Sequence, residues 1–340
     1  MNARDNIKHL QHGLSLIELM VSMAIGLFLL AGAVSVLAKG RDLYRTNDAA
    51  ARLQETARYA MSTIEADLRM ANYWGLNSRG DLVENGPTLD LVNPPAVDPA
   101  YVLPATLTGY AATINSCGAM WAVKLPAYVE GNNNGYGYAC QPGFGAGTAE
   151  AAADQLTVRR ASAQVIAAVA GQINIQTSRV QGSLFANGVL PAGYAPLLSE
   201  TRAVVVNGYY VSQRSDKDLA PPFTPSLRRK QLGFDGVAPV IQDQEIVPGV
   251  EDLQVEFGVD QNNDQNADFF VPPGTAIPAG RAIVAVRVWL LVRSEDPDFT
   301  FTDGRTYSYA DRVGGAAYTP GDNFRRVLVS KTIALRNTRR

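Results

Sequence analysis

Glu18 places a carboxylate where one is costly. It is the sole charge in the run from Leu14 to Ala38, LSLIELMVSMAIGLFLLAGAVSVLA, and twenty residues from Leu19 to Ala38 pass without a charge or a proline. As a helix, that stretch is long enough to cross the hydrocarbon core of a bilayer. A charge at mid-bilayer costs ~3 kcal/mol on insertion scales, and one retained there is usually functional. Glu18 lies one turn in from the start, so two readings stand: a plain signal anchor whose glutamate snorkels to the headgroups, or a charge kept for a purpose.

The remaining chemistry is sparse. Both histidines, His9 and His12, precede Gly13, so nothing from Leu14 onward can serve as a histidine base, complete a Ser-His-Asp triad or bind zinc through imidazole. Two cysteines, Cys117 and Cys140, exclude a four-cysteine zinc site. Asp260, Asn262, Asp264, Asn266 and Asp268 alternate like the opening of a calcium loop, but Gln265 stands at position six and Val271 at position twelve. That stretch reads as a solvated loop, with calcium binding as the alternative. Arg159-Arg160, Arg228-Arg229-Lys230 and Arg325-Arg326 are short basic clusters, more in keeping with ion pairs than with a nucleic-acid surface. The tyrosines at 136, 138, 209 and 210 read as packing residues. These absences argue against an enzyme and call for no cofactor.

The chain has 340 residues, 46% hydrophobic and 18% charged. Without the first 70 or so, enough remains to bury a core of one large or two small domains. Removing residues 1–13 takes away Arg4, Lys8 and Asp5 and leaves 28 basic against 31 acidic residues, with no general pull toward nucleic acid. Beyond the apolar run, Leu53, Ala57, Met61, Ile64, Leu68 and Ala71 repeat at three- and four-residue spacing, which puts them on one face of a continuing helix. Arg52, Glu55, Arg58, Glu65 and Arg69 fall on other faces. No proline occurs before residue 87, and Gly75 is the expected stop.

Residues 74–150 are rich in Pro, Gly and Asn and read as turns and long loops. Strand patterns follow at Gln155–Arg160, Ala203–Ser212, Val250–Asp260, Ile283–Arg293 and Arg325–Arg336. In Val250–Asp260, Leu253, Val255, Phe257 and Val259 share a face. In the last strand, Lys331 interrupts the apolar series. One long helix followed by several strands predicts an α+β fold, with one face of an antiparallel sheet laid on the helix stripe.

Gly13-Leu14-Ser15-Leu16-Ile17-Glu18 resembles the processing site of type IV prepilins. In that family a membrane peptidase cuts after the glycine and methylates the new N-terminal amine, here that of Leu14. The glutamate at the fifth mature position matches Glu18. Leu14 stands where phenylalanine is commoner, and Ser15 where threonine is. Ser35 occupies the place of a helix-breaking proline found in many major pilins. The resemblance puts the leader, 1–13, in the cytoplasm and the bulk in the periplasm, as a single-pass inner-membrane protein that later joins the pilus tip. In an oxidising compartment, Cys117 and Cys140 read as one disulfide, with two buried thiols as the alternative.

The resemblance narrows further along the chain. Arg52-Leu53-Gln54-Glu55-Thr56-Ala57-Arg58, Asp67-Leu68-Arg69-Met70-Ala71 and Gly75 are similar to the post-membrane helix of PilW-type minor pilins. Gly249–Val255, Val286–Ser294 and Ala334-Leu335-Arg336-Asn337 look like the same family. This implies a pilin-like fold in five parts: leader 1–13, membrane or filament-core helix 14–38, amphipathic continuation 39–75, a loop-rich and β region 76–245 with the disulfide, and a β-sheet region 246–340. It also implies a structural role in starting pilus assembly and in the tip complex. The expected partners are other minor pilins, the major pilin, an inner-membrane assembly platform, a tip adhesin and the prepilin peptidase. The alternatives are a J-type pseudopilin of type II secretion, or a tip module that binds DNA or surfaces.

Overall fold

The computed structural model describes residues 15–77, 80, 83–84, 103–278 and 280–338. The chain divides into two compact units, Met1–Ala51 and Arg52–Arg340. One helix, α1 (Leu16–Met70), begins in the first and ends in the second.

In the first unit the described chain is helical from Leu16 onward. Ser15 caps it: its carbonyl accepts the N–H groups of Glu18 and Leu19 at 3.0 and 3.1 Å, and its Oγ accepts Glu18 N–H at 3.2 Å. A hydroxyl in that position satisfies an amide with no partner inside the helix. Ser15 and Glu18 also have the spacing of a capping box. From Leu16 to Ala38 the apolar side chains are exposed, and the helix is long and apolar enough to cross a membrane.

The second unit is α+β, as expected, but has two sheets instead of one. The smaller runs β10 (Phe269–Val271), β9 (Val250–Asp260), β11 (Ala282–Arg293), β12 (Arg326–Ala334), all antiparallel. The larger runs β1 (Val83–Glu84), β5 (Gly182–Asn187), β4 (Ala170–Thr177), β6 (Glu200–Ser212), β3 (Gln155–Ala161), β2 (Val129–Asn132). On this sheet β7 (Ser226–Phe234) pairs with β6, and β8 (Pro239–Pro248) pairs with β7. It is antiparallel except for the two-residue contact of β1 with β5.

The helix stripe packs as its spacing predicts. Leu53, Ala57, Met61, Ile64, Leu68 and Ala71 lie in one core with Leu253, Val255 and Phe257 of β9, Val286, Val288, Leu290 and Val292 of β11, and Leu156, Tyr209 and Val211 of the larger sheet. A second core lies around Trp74, Trp121, Leu125, Ile173, Ile175 and Val206, and takes in the residues around Cys117.

The helix ends at Met70 rather than at Gly75. Asn72 takes the left-handed conformation, φ 61°, that closes a helix, and the Asn337 side chain donates to Ala71 O at 3.1 Å. Gly75, at φ +93°, is needed for room: a Cβ there would strike the side chains of Glu200 and Thr177.

Candidate functional site

Two acids on α1 define the arrangement. Glu18 is exposed in the first turn, where its own N–H is capped by Ser15 and its carbonyl accepts Ser22 Oγ at 2.7 Å. Around it Leu16, Ile17, Leu19 and Met20 are all more than half exposed. Gly13 and Leu14 lie outside the described residues.

Asp67 has the opposite surroundings. It falls three residues after Ile64 and four before Ala71, on the face turned to the core, and is buried. Arg160 of β3 donates to its Oδ1 from Nη2 at 2.8 Å and Nε at 3.1 Å. Asn207 Nδ2 donates to Oδ2 at 2.5 Å, and the Tyr209 hydroxyl donates to the same oxygen. These contacts tie the helix to two strands of the larger sheet. At the other sheet Lys331, which interrupts the apolar series of β12, reaches Glu65 Oε2 at 2.7 Å. Glu65 also takes Arg69, and these two cations hold its carboxyl below the usual range. Sequence reasoning missed Asp67 as an anchor. The available signal was a charge on the buried face of an amphipathic helix.

Cys117 and Cys140 are joined as a disulfide. The segment it closes is fastened to β3 by Arg159, whose side chain is fully buried. Its Nε donates to Trp121 O at 2.8 Å, Nη1 to Ala127 O at 2.6 Å and Nη2 to Glu130 Oε2 at 2.8 Å. Lys124 Nζ meets the other Glu130 oxygen at 2.9 Å. Burial alone would raise the Glu130 carboxyl, but the two cations outweigh it and bring the group down to about 2.

The basic clusters are spent internally. Arg228 pairs with Asp243 and Asp216 at 2.6 Å each, and Lys230 with Asp243 at 2.6 Å. Arg326 pairs with Glu251 and Asp322, and Arg325 with Asp298. Tyr136 stacks edge-on against Tyr138 and Tyr210, and Tyr138, Tyr209 and Tyr210 are buried.

In the Asp260–Asp268 loop the side-chain oxygens accept the loop's own amides. Asp260 takes Asn263 N–H at 2.6 Å and Gln265 N–H at 2.8 Å. Asn262 takes Asp264 N–H at 2.9 Å, Asp264 takes Asn266 N–H at 2.8 Å, and Asp268 takes Gln261 N–H at 2.6 Å. These are turn-forming bonds. Among the described residues no group of three or more His, Cys, Asp or Glu could hold a metal ion.

Two family models match the chain. Type IV Pilus-assembly protein W matches residues 208–337, and the prokaryotic N-terminal methylation motif matches residues 8–34. The first begins in β6, so it takes in the end of the 76–245 region as well as the C-terminal sheet. No curated protein matches. A solved type IV-like pilin from Thermus thermophilus is 17% identical, with 55% of this chain and 80% of that chain covered and a TM-score of 0.29. At that score it adds nothing to the argument.

Proposed function

The chain belongs to the PilW family of type IV pilus minor pilins, and from this we propose that it helps start assembly of a pilus and stays within the tip complex. The observation that carries the proposal is the exposure of Leu16–Leu37. Its apolar side chains are exposed among the described residues, whereas the stripe from Leu53 onward is buried. Such a surface needs lipid at first and other apolar helices later.

In this reading the peptidase cuts between Gly13 and Leu14, and the methylated amine of Leu14 stays cationic. Glu18 then meets the amine of a neighbouring subunit. Both charges are costly in a low-dielectric setting, so each favours the axial stagger in which they pair. The partners are other minor pilins, the major pilin, the inner-membrane assembly platform and a tip adhesin. The periplasmic unit begins at Arg52, and the role is structural rather than catalytic.

Gly13→Val tests the processing step. The expected result is a retained 13-residue leader and absence from filaments. Normal cleavage would contradict it. Intact piliation with defective protein secretion in a deletion strain would favour the J-type pseudopilin reading instead. The binding-module reading receives less support, because Arg159, Arg160, Arg228 and Lys230 are all committed to internal partners.

A further inference from the structure

Both sheets end in edge strands, and the chain guards these edges unequally. β8, the outermost strand beyond β7, lies between Pro239 and Pro248 and carries Asp243 and Glu245 near its centre. Its pairing with β7 is interrupted by a register shift at Leu227/Arg228. β2, β1 and β10 are only four, two and three residues long. Proline, bulges, charge and shortness are the usual guards of a sheet edge against another chain. β12 lacks them. It runs nine residues beside β11, from Arg326 opposite Arg293 to Ala334 opposite Ala285, without a register shift. Its sequence, RVLVSKTIA, holds no proline or glycine. Past Arg326 its one charge is Lys331, which is drawn onto Glu65 of α1.

The outward row of β12 follows from its ladder. Ser294 N–H donates to Arg325 O and Leu335 N–H to Val284 O, each at 2.8 Å. In an antiparallel pair such bonds recur at every second residue. The peptide groups of Val327, Val329, Lys331 and Ile333 therefore face β11, and those of Leu328, Ser330 and Thr332 face away. No described residue bonds to these three peptide groups. At the start of the strand Arg305 Nη2 donates to Arg326 O at 3.0 Å and closes the row there. The two faces differ. Val327 and Val329 lean, half-buried, on the core that holds the α1 stripe, whereas Ser330 and Thr332 are exposed on the face where Leu328 meets Leu291 and Tyr307.

We propose that β12 receives an extended segment of a neighbouring subunit, laid antiparallel along Leu328–Thr332, apolar where it continues the Val327–Val329 face and polar where it lies beside Ser330 and Thr332. This presupposes that the chain is a pilus subunit. The outward peptide groups supply the main-chain bonds, and the alternating faces select the side chains. A second β12 fits this edge poorly. Two identical edges paired antiparallel are related by a two-fold axis, which sends the two points where α1 enters the unit, at Arg52, to opposite ends of the pair. Subunits anchored in one membrane enter from the same side.

Residue-resolved amide hydrogen exchange tests this on the full-length protein in detergent micelles, alone and co-purified with the other minor pilins of the same strain. Alone, the amides of Leu328, Ser330 and Thr332 should exchange quickly and those of Val329 and Lys331 slowly. In the complex the three outward amides should slow by at least about tenfold. Ser330→Pro removes one outward N–H where an edge strand tolerates proline. It should keep the wild-type unfolding midpoint and recover about tenfold less of its partners. Outward amides that are already slow alone, or that stay fast in the complex, would overturn the proposal. So would full recovery of partners by Ser330→Pro, or slowing in the isolated protein as its concentration rises, which would put a second copy on the edge. If Ser330→Pro fails to fold, the wild-type exchange comparison decides. A wild type that recovers no minor pilin would overturn the subunit reading and the strand pairing with it, whereas partners recovered without slowing would overturn the pairing alone.

Discussion

The two ends of α1 obey the same local rules and meet opposite fates. Both are built from good helix formers without proline, yet Leu29 and Leu30 are mostly exposed while Ile64 and Leu68 are fully buried. The acids diverge in the same way. Asp67 is met by Arg160, Asn207 and Tyr209 from its own chain, and Glu18 is left exposed. A helix whose apolar surface is satisfied internally is architecture. The other end keeps its apolar surface and its charge exposed.

Substitutions at the two ends of α1 should differ sharply in their cost. The largest effect concerns the acids. Asp67→Ala leaves Arg160 without its carboxylate in a partly buried site and should cost about 4 kcal/mol, whereas Glu18→Ala should leave stability unchanged. Urea denaturation of both variants in detergent micelles compares them, and equal losses would erase the distinction.

Next come the leucines. Leu68→Ala should cost about 3 kcal/mol by opening a cavity in the core, and Leu29→Ala less than about 0.5 kcal/mol. A comparable midpoint shift for Leu29→Ala would mean that the first half packs on its own chain after all.

The smallest effect belongs to Glu130, whose carboxylate joins Arg159 and Lys124. Because its folded value is depressed to about 2, its contribution is present above the usual carboxylate range near 4.5 and disappears as pH falls through about 2. Partial exposure reduces this to about 2 kcal/mol. Acid titration of wild type and Glu130→Gln should show less loss in the variant across pH 5 to 2. Parallel curves would remove Glu130 from the account.

Legibility followed the range of the forces involved. The α1 stripe and the alternation in Val250–Asp260 were readable because burial repeats with the local period. β7 was not, because Arg228-Arg229-Lys230 looks like a solvated run until Asp243, on the neighbouring strand, neutralises it. β4 hid for a similar reason: Asn174 and Gln176 are buried in AGQINIQT, with Gln176 bonded to Ser199 and Thr201. The larger sheet rests on pairings such as Leu156 with Tyr209, and the two sheets meet through contacts such as Val255 N–H to Asp154, 101 positions apart, all beyond any local pattern. The candidate assembly acid, Glu18, was legible because a lone charge in an apolar run needs no partner to be noticed.

We propose that Glu18 serves a partner outside its own chain. Co-purification of Glu18→Ala with the other minor pilins, from cells in which its cleavage and membrane insertion are verified, tests this most directly. Processing and insertion should be normal, and the partners should be lost from the complex. Wild-type recovery of those partners together with normal piliation would contradict it and leave Glu18 a charge that merely snorkels to the headgroups.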